Sequence, residues 1–352
     1  MKEGKCMSKR IMAKARVDKK DEFYTKRETI ENELKHYKKH FEGKVVYCNC
    51  DDPQRSNFVK FFIDNFDSFK LKKLIASCYK EQDYNLFNMK ESFEKATWLE
   101  YEGQDIEIKE FNGNGDFRSE ESIRLLKETD IVVTNPPFSL FKEYVAQLYE
   151  YEKKFLIIGT TNAASYKGFF KLLMKNEVWA GVSFNKTVEF MIPEEYTEWD
   201  RIEDGVKYGK VPSISWWTNL THDKKDRLNL VKTYKGNEEN YPKYLNYDGI
   251  DVSKLSEIPI DYTGTMGVPI TFIGAYDPLK FEIIGLGAGE IFKELGGKVI
   301  GEQFLSDYFA SGGKGNYVSN QNILCYYDDN GKPIIPYMRI LIKNKIWNCN
   351  GG

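Results

Sequence analysis

Between residues 44 and 159 one pattern recurs: a short apolar run rich in β-branched residues, a turn, then a stretch with helical periodicity. The runs are 44–50 (KVVYCNC), 71–78 (LKKLIASC), 130–133 (DIVV) and 154–159 (KFLIIG). Strands separated by helices must join through right-handed crossovers, so the pattern predicts an α/β fold with a doubly wound, mostly parallel sheet. Residues 28–40 read as a polar helix ahead of the first strand. Asp52 can cap and Pro53 open a helix with Phe58, Phe61, Phe62 and Phe66 on its apolar face. Residues 122–126 form a short helix, and Ser139 caps one that carries Leu140, Phe141, Tyr144, Val145 and Leu148 on one side. In such a sheet ligands bind beyond the carboxyl ends of the strands, so the loops after Cys50, Cys78 and Val133 should face one crevice.

The texture changes near residue 195. Strand-like runs at 211–217, 270–273, 281–284 and 334–342 sit among Gly, Asn, Asp and Tyr clusters, as in an irregular β-rich or α+β region that could add strands to the sheet. The expected division is a basic arm at 1–20, a catalytic domain at 21–195 and a further region at 196–352. With 51 Lys plus Arg against 53 Asp plus Glu, the chain has no global cationic field, and any polyanion must be held by local patches. The arm is the exception, with eight basic residues against Glu3 and Asp18; it reads equally as a phosphate-binding arm or a solvated tail. Six cysteines without a signal peptide or a membrane-length apolar run fit a reducing cytoplasm. Cys48 and Cys50 lack a second pair at zinc spacing, and His36, His40 and His222 lack metal-like company.

The most informative residues are Asn135, Pro136, Pro137 and Phe138, directly after an apolar strand. Two prolines stop the ladder and fix a rigid corner that points Asn135 and the Pro136 carbonyl outward. The exocyclic amine of adenine is a poor nucleophile because its lone pair is delocalised into the ring. Two acceptors, one per N–H, draw the nitrogen toward tetrahedral geometry and stabilise the charge that builds as it attacks. The Asn135 side-chain oxygen and the Pro136 carbonyl supply that pair, and Phe138 offers a face for the base. The plain alternative is a diproline turn with an aromatic residue behind it.

This tetrapeptide resembles the signature of the class I, Rossmann-like methyltransferases that modify exocyclic amines, and the chain is similar more narrowly to the EcoRI-type adenine-specific DNA methyltransferases. The likeness is carried by 21–25 (DEFYT), 45–53 (VVYCNCDDP), 134–141 (TNPPFSLF) and 266–272 (MGVPITF). It implies S-adenosyl-L-methionine as methyl donor, double-stranded DNA as partner, a base-flipping mechanism, a C-terminal target-recognition region, and a bacterial, phage or mobile-element origin. A cognate restriction endonuclease acting separately is compatible with it, and a membrane partner is not. By the same likeness, residues 135–138 are the catalytic loop. Asp51, Asp52 and Pro53 stand where the methionine end of the cofactor is held, Phe23, Tyr24 and Thr25 close over that methionine end, and Asp116 and Phe117 meet the cofactor adenine. Two departures stand out. Cys48-Asn49-Cys50-Asp51-Asp52 replaces the usual Phe-x-Gly-x-Gly loop, and the second strand ends in Ser77-Cys78-Tyr79 without the acid that takes the ribose, leaving Tyr79 as the candidate. Asp51 and Asp52 read equally as helix caps, Asp116 as a turn residue, and Phe23-Tyr24 as core.

The run 281–290 (FEIIGLGAGE) is out of frame for a dinucleotide fingerprint, since Glu290 stands where its last glycine belongs, and 311–316 (SGGKGN) lacks the P-loop frame. Candidate DNA contacts are Lys224, Lys225, Arg227, Lys235, Lys243, Lys314, Lys332, Arg339, Lys343 and Lys345. Competing readings are methylation of RNA adenine, cytosine N4 or a protein glutamine, and a nucleic-acid-binding homologue without activity.

Overall fold

The computed structural model describes residues 24–80, 95–192, 199–211, 213–222 and 228–345. The basic arm at 1–20, with Phe23, Lys224, Lys225 and Arg227, lies outside them. The chain divides into two compact units, Met1–Ala163 with Val178–Lys224 and Ala164–Glu177 with Lys225–Gly352.

In the first unit, along the chain, come β1 (Tyr24–Thr25), α1 (Arg27–Leu34), β2 (Val45–Cys48), α2 (Asn57–Asp64), β3 (Lys73–Ser77), β4 (Thr97–Tyr101) and β5 (Ile106–Glu110). Then follow α3 (Glu120–Glu128), β6 (Ile131–Thr134), α4 (Phe141–Glu150) and β7 (Lys154–Thr160). After α5 (Lys167–Met174), which belongs to the second unit, it resumes with β8 (Trp179–Ala180), β9 (Val188–Ile192), β10 (Arg201–Glu203), β11 (Val206–Val211) and β12 (Ile214–Thr218). Eight of these strands form one sheet in the order β5-β4-β3-β2-β6-β7-β12-β8. The inner four, β3, β2, β6 and β7, are parallel and are the four runs expected from the sequence. Residues of β2 and β6 are buried without interruption, as befits strands covered on both faces.

Several local expectations are corrected. The cap of α2 is Ser56, whose Oγ accepts from Phe58 N (3.0 Å), and not Asp52. Helix α4 has Leu140 at its cap position, because the 3-10 turn Phe138–Leu140 runs straight into it and displaces Ser139 from that role. Residues 97–110, which lie outside the four apolar runs, form the antiparallel hairpin of β4 and β5. The polar helix ends at Leu34, followed by a 3-10 turn at Lys38–His40. The division falls after Lys224 and not near residue 195, because β12 pairs along its whole length with β7, from Ile214 opposite Thr160 to Thr218 opposite Leu156. The run at 211–217 is two strands, with Ser213 at φ +67° between them.

Helix α1 is fastened by an acid. Glu33, 0% exposed, accepts from Tyr37 Oη (2.8 Å), Val182 N (2.7 Å), Ser183 N (2.9 Å) and the Ser183 hydroxyl. A Cβ at Gly181 would lie 2.5 Å from Glu33 Oε1, so glycine is required where the chain passes this carboxylate.

In the second unit, β13 (Ile250–Asp251), β14 (Met266–Pro269), β15 (Phe281–Leu286) and β18 (Arg339–Asn344) form a sheet in the order β13-β14-β18-β15. It also holds α6 (Gly289–Glu294), α7 (Glu302–Ala310) and the pair β16 (Tyr326–Tyr327) and β17 (Pro333–Ile334). The expected strand at 270–273 is instead a 3-10 helix, Ile270–Ala275, entered from Pro269. Glycines 285 and 287 are packing glycines: a Cβ would lie 2.4 Å from Leu295 and 2.3 Å from Leu324. Arg339, read as a DNA contact, is buried and pairs with Asp251 through two hydrogen bonds (2.8 and 3.1 Å), while Tyr244 Oη donates to the same carboxylate (2.7 Å). Removing one partner of such a pair strands a buried charge. Arg339→Met should therefore destabilise the second unit by about 3–5 kcal/mol, read from amide exchange across β14 and β18. The double change with Asp251→Leu should recover most of that loss.

Candidate active site

One buried carboxylate gathers the ends of three parallel strands. Asp51 follows β2 and is 7% exposed. Its backbone N–H donates to Ser77 O at the end of β3 (2.9 Å). Its side chain accepts from Thr134 Oγ1, the last residue of β6 (2.5 Å), from Ser56 Oγ (2.7 Å), and from the backbone N–H of Asn135. Thr134 Oγ1 in turn accepts from Cys50 N (3.2 Å). Burial pushes the Asp51 carboxyl up to about 6, against the pull of the hydroxyls and the N–H that favour its charged form.

At the corner itself Pro136 is buried, and Asn135 and Pro137 are half-buried. The main chain of Asn135 is tied to Asp51, while its side-chain oxygen Oδ1 is buried and accepts no hydrogen bond. Phe138, 8% exposed, is part of the core cluster with Phe58 and Trp216, so the open stacking face expected of it is reduced to a small exposed part.

A second wall comes from residues 112–117. Glu121 holds it from below, accepting from Asn112 N and Gly113 N (both 3.0 Å), and Asn114 O accepts from Lys80 N (2.9 Å). Gly115 lies at φ +73°, and a Cβ there would meet Cys78 O at 2.5 Å, so only glycine lets this loop rest on the tip of β3. Tyr79, between those two contacts, is exposed. Phe117 meets Tyr144 edge-on (5.1 Å between ring centroids), and Tyr144 Oη donates to Asn49 Oδ1 at the tip of β2. Asp116 accepts from Arg118 N (2.8 Å) and Nε (2.9 Å) on one oxygen and from Nη2 (2.7 Å) on the other, and Arg118 holds its pKa below the usual carboxylate range. That is the turn-residue arrangement, with the guanidinium added.

The third element is β1. Thr25 O accepts from Asn57 Nδ2 (2.8 Å), in the first turn of α2 beside Ser56, and Thr25 Oγ1 is buried without a hydrogen-bond partner. Tyr24 pairs through its backbone with Met191. Asp52 turns inward on its own turn, accepting from Gln54 N (2.8 Å) and Arg55 N (3.0 Å), and Pro53 is buried beside it. Thus Asp51, Tyr79, residues 113–117 and Asn135 meet at one end of the sheet, with Thr25 joined through α2. Asp52 serves the local turn. Ser56, Thr134 and Glu121 were missed; a serine two residues before Phe58 is the one signal that could have found any of them. Among the described residues no group of His, Cys, Asp and Glu could hold a metal ion, and no helix is long and apolar enough to cross a membrane. Burial raises the Cys48 and Cys50 thiols well above their ordinary value.

A parallel sheet whose strand ends meet at an Asn-Pro-Pro-Phe corner is the arrangement expected of an enzyme that methylates an exocyclic amine. The family described as "Adenine-specific methyltransferase EcoRI" matches residues 11–345, and the chain belongs to this family of site-specific, adenine-specific DNA methyltransferases. It is similar to the Type II methyltransferase M.EcoRI of Escherichia coli, with 44% identity over 350 residues covering 96% of this chain and 97% of that protein. It is also similar to the Type II methyltransferases M.MpnI of Mycoplasma pneumoniae (41%) and M.MgeORF184P of Mycoplasma genitalium (40%), each covering 77% of this chain and 84% of its own length. No solved structure matches it.

A carboxyl whose folded value lies above its ordinary 3.8 favours the folded state when protonated, so this stabilisation is complete below about pH 4 and is lost as pH rises through about 6. The stability difference between the wild type and Asp51→Asn, from urea midpoints, should change by about 3 kcal/mol over that window. A constant difference would show that the carboxyl is solvated.

Proposed function

We propose that the methyl donor is S-adenosyl-L-methionine and that the acceptor is N6 of an adenine flipped out of a specific sequence in duplex DNA. The observation that carries this reading is the hydrogen-bonded link from Asp51 to Ser77, Thr134 and Asn135, which fixes the catalytic corner and the tips of β2, β3 and β6 as one unit. The buried, unpartnered Thr25 Oγ1 and the glycine loop on β3 fit a polar, nucleoside-bearing donor. Residues of the Asp51 loop and Thr25 would hold its methionine end, Tyr79 its ribose, and Asp116 and Phe117 its adenine. When bound, the donor supplies an electrophilic methyl group on a sulfonium.

The chain's own part is positioning. The Asn135 side-chain oxygen and the Pro136 carbonyl accept the two amine N–H groups and stabilise the positive charge that grows on nitrogen. Pro137 and the 3-10 turn behind it stop the corner from relaxing, and the Asp51 bond to the Asn135 N–H sets its height above the strand. Unstacking the target costs a few kcal/mol, offset by pocket and phosphate contacts. The second unit, with exposed Lys235, Lys243, Lys314 and Lys332, is the target-recognition region in this reading. The enzyme works in the cytoplasm, and a cognate restriction endonuclease acts separately on the unmodified site.

Labelled methyl from S-adenosyl-L-methionine should appear in duplex DNA as N6-methyladenine on nucleoside analysis. Asn135→Ala should lower kcat by about 10²–10³-fold, as for loss of one preorganised hydrogen-bonding group, with donor binding by calorimetry kept. A variant that works at the wild-type rate overturns the assignment.

A further inference from the structure

All three histidines of the chain, His36, His40 and His222, line a single open groove of about 950 Å³ in the first unit, together with Lys35, Lys38, Lys39 and Lys70. Among the lining residues the one carboxylate is Glu42, and it is paired with Lys70 at 2.7 Å. Four lysines against one glutamate concentrate positive charge in a protein whose net charge is -2. Such an imbalance inside a concave wall focuses field outward and draws anions.

The groove is built, because its three walls are tied to one another. The turn between α1 and β2 reaches the turn before β3 through Gly43 N donating to Lys70 O (2.7 Å). It reaches the segment after β12 through His40 Nε2 and Thr221 O (2.7 Å). His222 is anchored by Nε2 to Ala180 O (3.0 Å) and lies edge-on to Tyr37, while its Nδ1 is buried without a hydrogen-bond partner. Phe69 floors the site, with Lys38 Nζ 5.6 Å from its ring centre.

Place and shape narrow the ligand. The walls precede the amino ends of β2 and β3 and follow the carboxyl end of β12, which runs antiparallel to β7, whereas Asp51 and Asn135 follow the carboxyl ends of β2 and β6. The groove and the catalytic corner therefore lie at opposite ends of the same sheet, and the DNA segment holding the target adenine does not explain it. The four lysines come from two separate walls, Lys35, Lys38 and Lys39 from the segment between α1 and β2 and Lys70 from the turn before β3. Spread cations suit a repeating anion better than a single ion.

Resting on the reading that this enzyme works on DNA, we propose that the groove of Lys35, Lys38, Lys39 and Lys70 binds the phosphate backbone of a second DNA segment, apart from the one being methylated. The test compares the wild type with the triple variant K35Q/K38Q/K39Q on the shortest duplex that supports methyl transfer and on one several times longer. On the long duplex the slope of log affinity against log salt should become shallower by about 0.9 for each lysine that meets a phosphate, up to about 2.7 for all three. On the short duplex, affinity and methyl transfer should stay within twofold. An unchanged slope on long DNA overturns the proposal, as does an equal loss on both duplexes, which would place the lysines at the target segment. Inorganic triphosphate that binds the wild type but not the variant, with the long-DNA slope unchanged, overturns it in favour of a small polyphosphate. Absence of methyl transfer by the wild type on duplexes of every length would instead strike the reading of function and leave the salt slope on long DNA to judge the groove.

Discussion

The first unit depends on a carboxylate taken out of water. Asp51 would be unfavourable at its depth without partners, and its partners come from separate places: hydroxyls from the start of α2 and the end of β6, and the N–H of Asn135. Each donor that offsets its desolvation also fixes a piece of the site. Stabilising the acid and positioning the corner are thus one arrangement, since a shift of β6 would leave Asp51 short of two donors at once.

The parallel core was legible because strands buried on both faces must be apolar along their buried length, and the centres of the four runs, 45–48 (VVYC), 74–76 (LIA), 131–133 (IVV) and 155–158 (FLII), are. The flanking antiparallel strands were not, for an equally physical reason. Strand β5 is exposed along its whole length, so Ile106 and Ile108 alternate with charged residues and resemble a solvated segment. Strand β12 lies beyond a stretch of irregular texture, and only pairing with β7 shows that it belongs to the main sheet.

The candidate site divides in the same way. The Asn-Pro-Pro-Phe corner announced itself because two prolines after a strand admit few conformations. The residues that hold it are ordinary polar types that no motif marks: Thr134 meets Asp51 from 83 positions away, while Ser56 and Glu121 act on loops five to nine positions off. Arg339 shows the reverse error. A basic residue invites assignment to the surface even within a strand-like run such as 334–342, yet Asp251, 88 positions earlier, takes Arg339 into the core. Lys35, Lys38 and Lys39 fall within the stretch 28–40 read only as a polar helix, and the groove they share with Lys70 and His222 is set by residues far along the chain.

The Glu33 cluster governs the order in which the chain can be completed on the ribosome. Its backbone donors, Val182 and Ser183, lie 149 and 150 residues downstream, and β1 likewise waits for β9. Until those segments emerge, the first helix has no dry place to put its acid and stays hydrated at the surface. The parallel strands can assemble in the meantime from nearer neighbours. Helix α1 and β1 are thus made before the central strands but dock after them, so a nascent chain cut short before residue 183 holds its central strands while Glu33 still lacks its backbone donors.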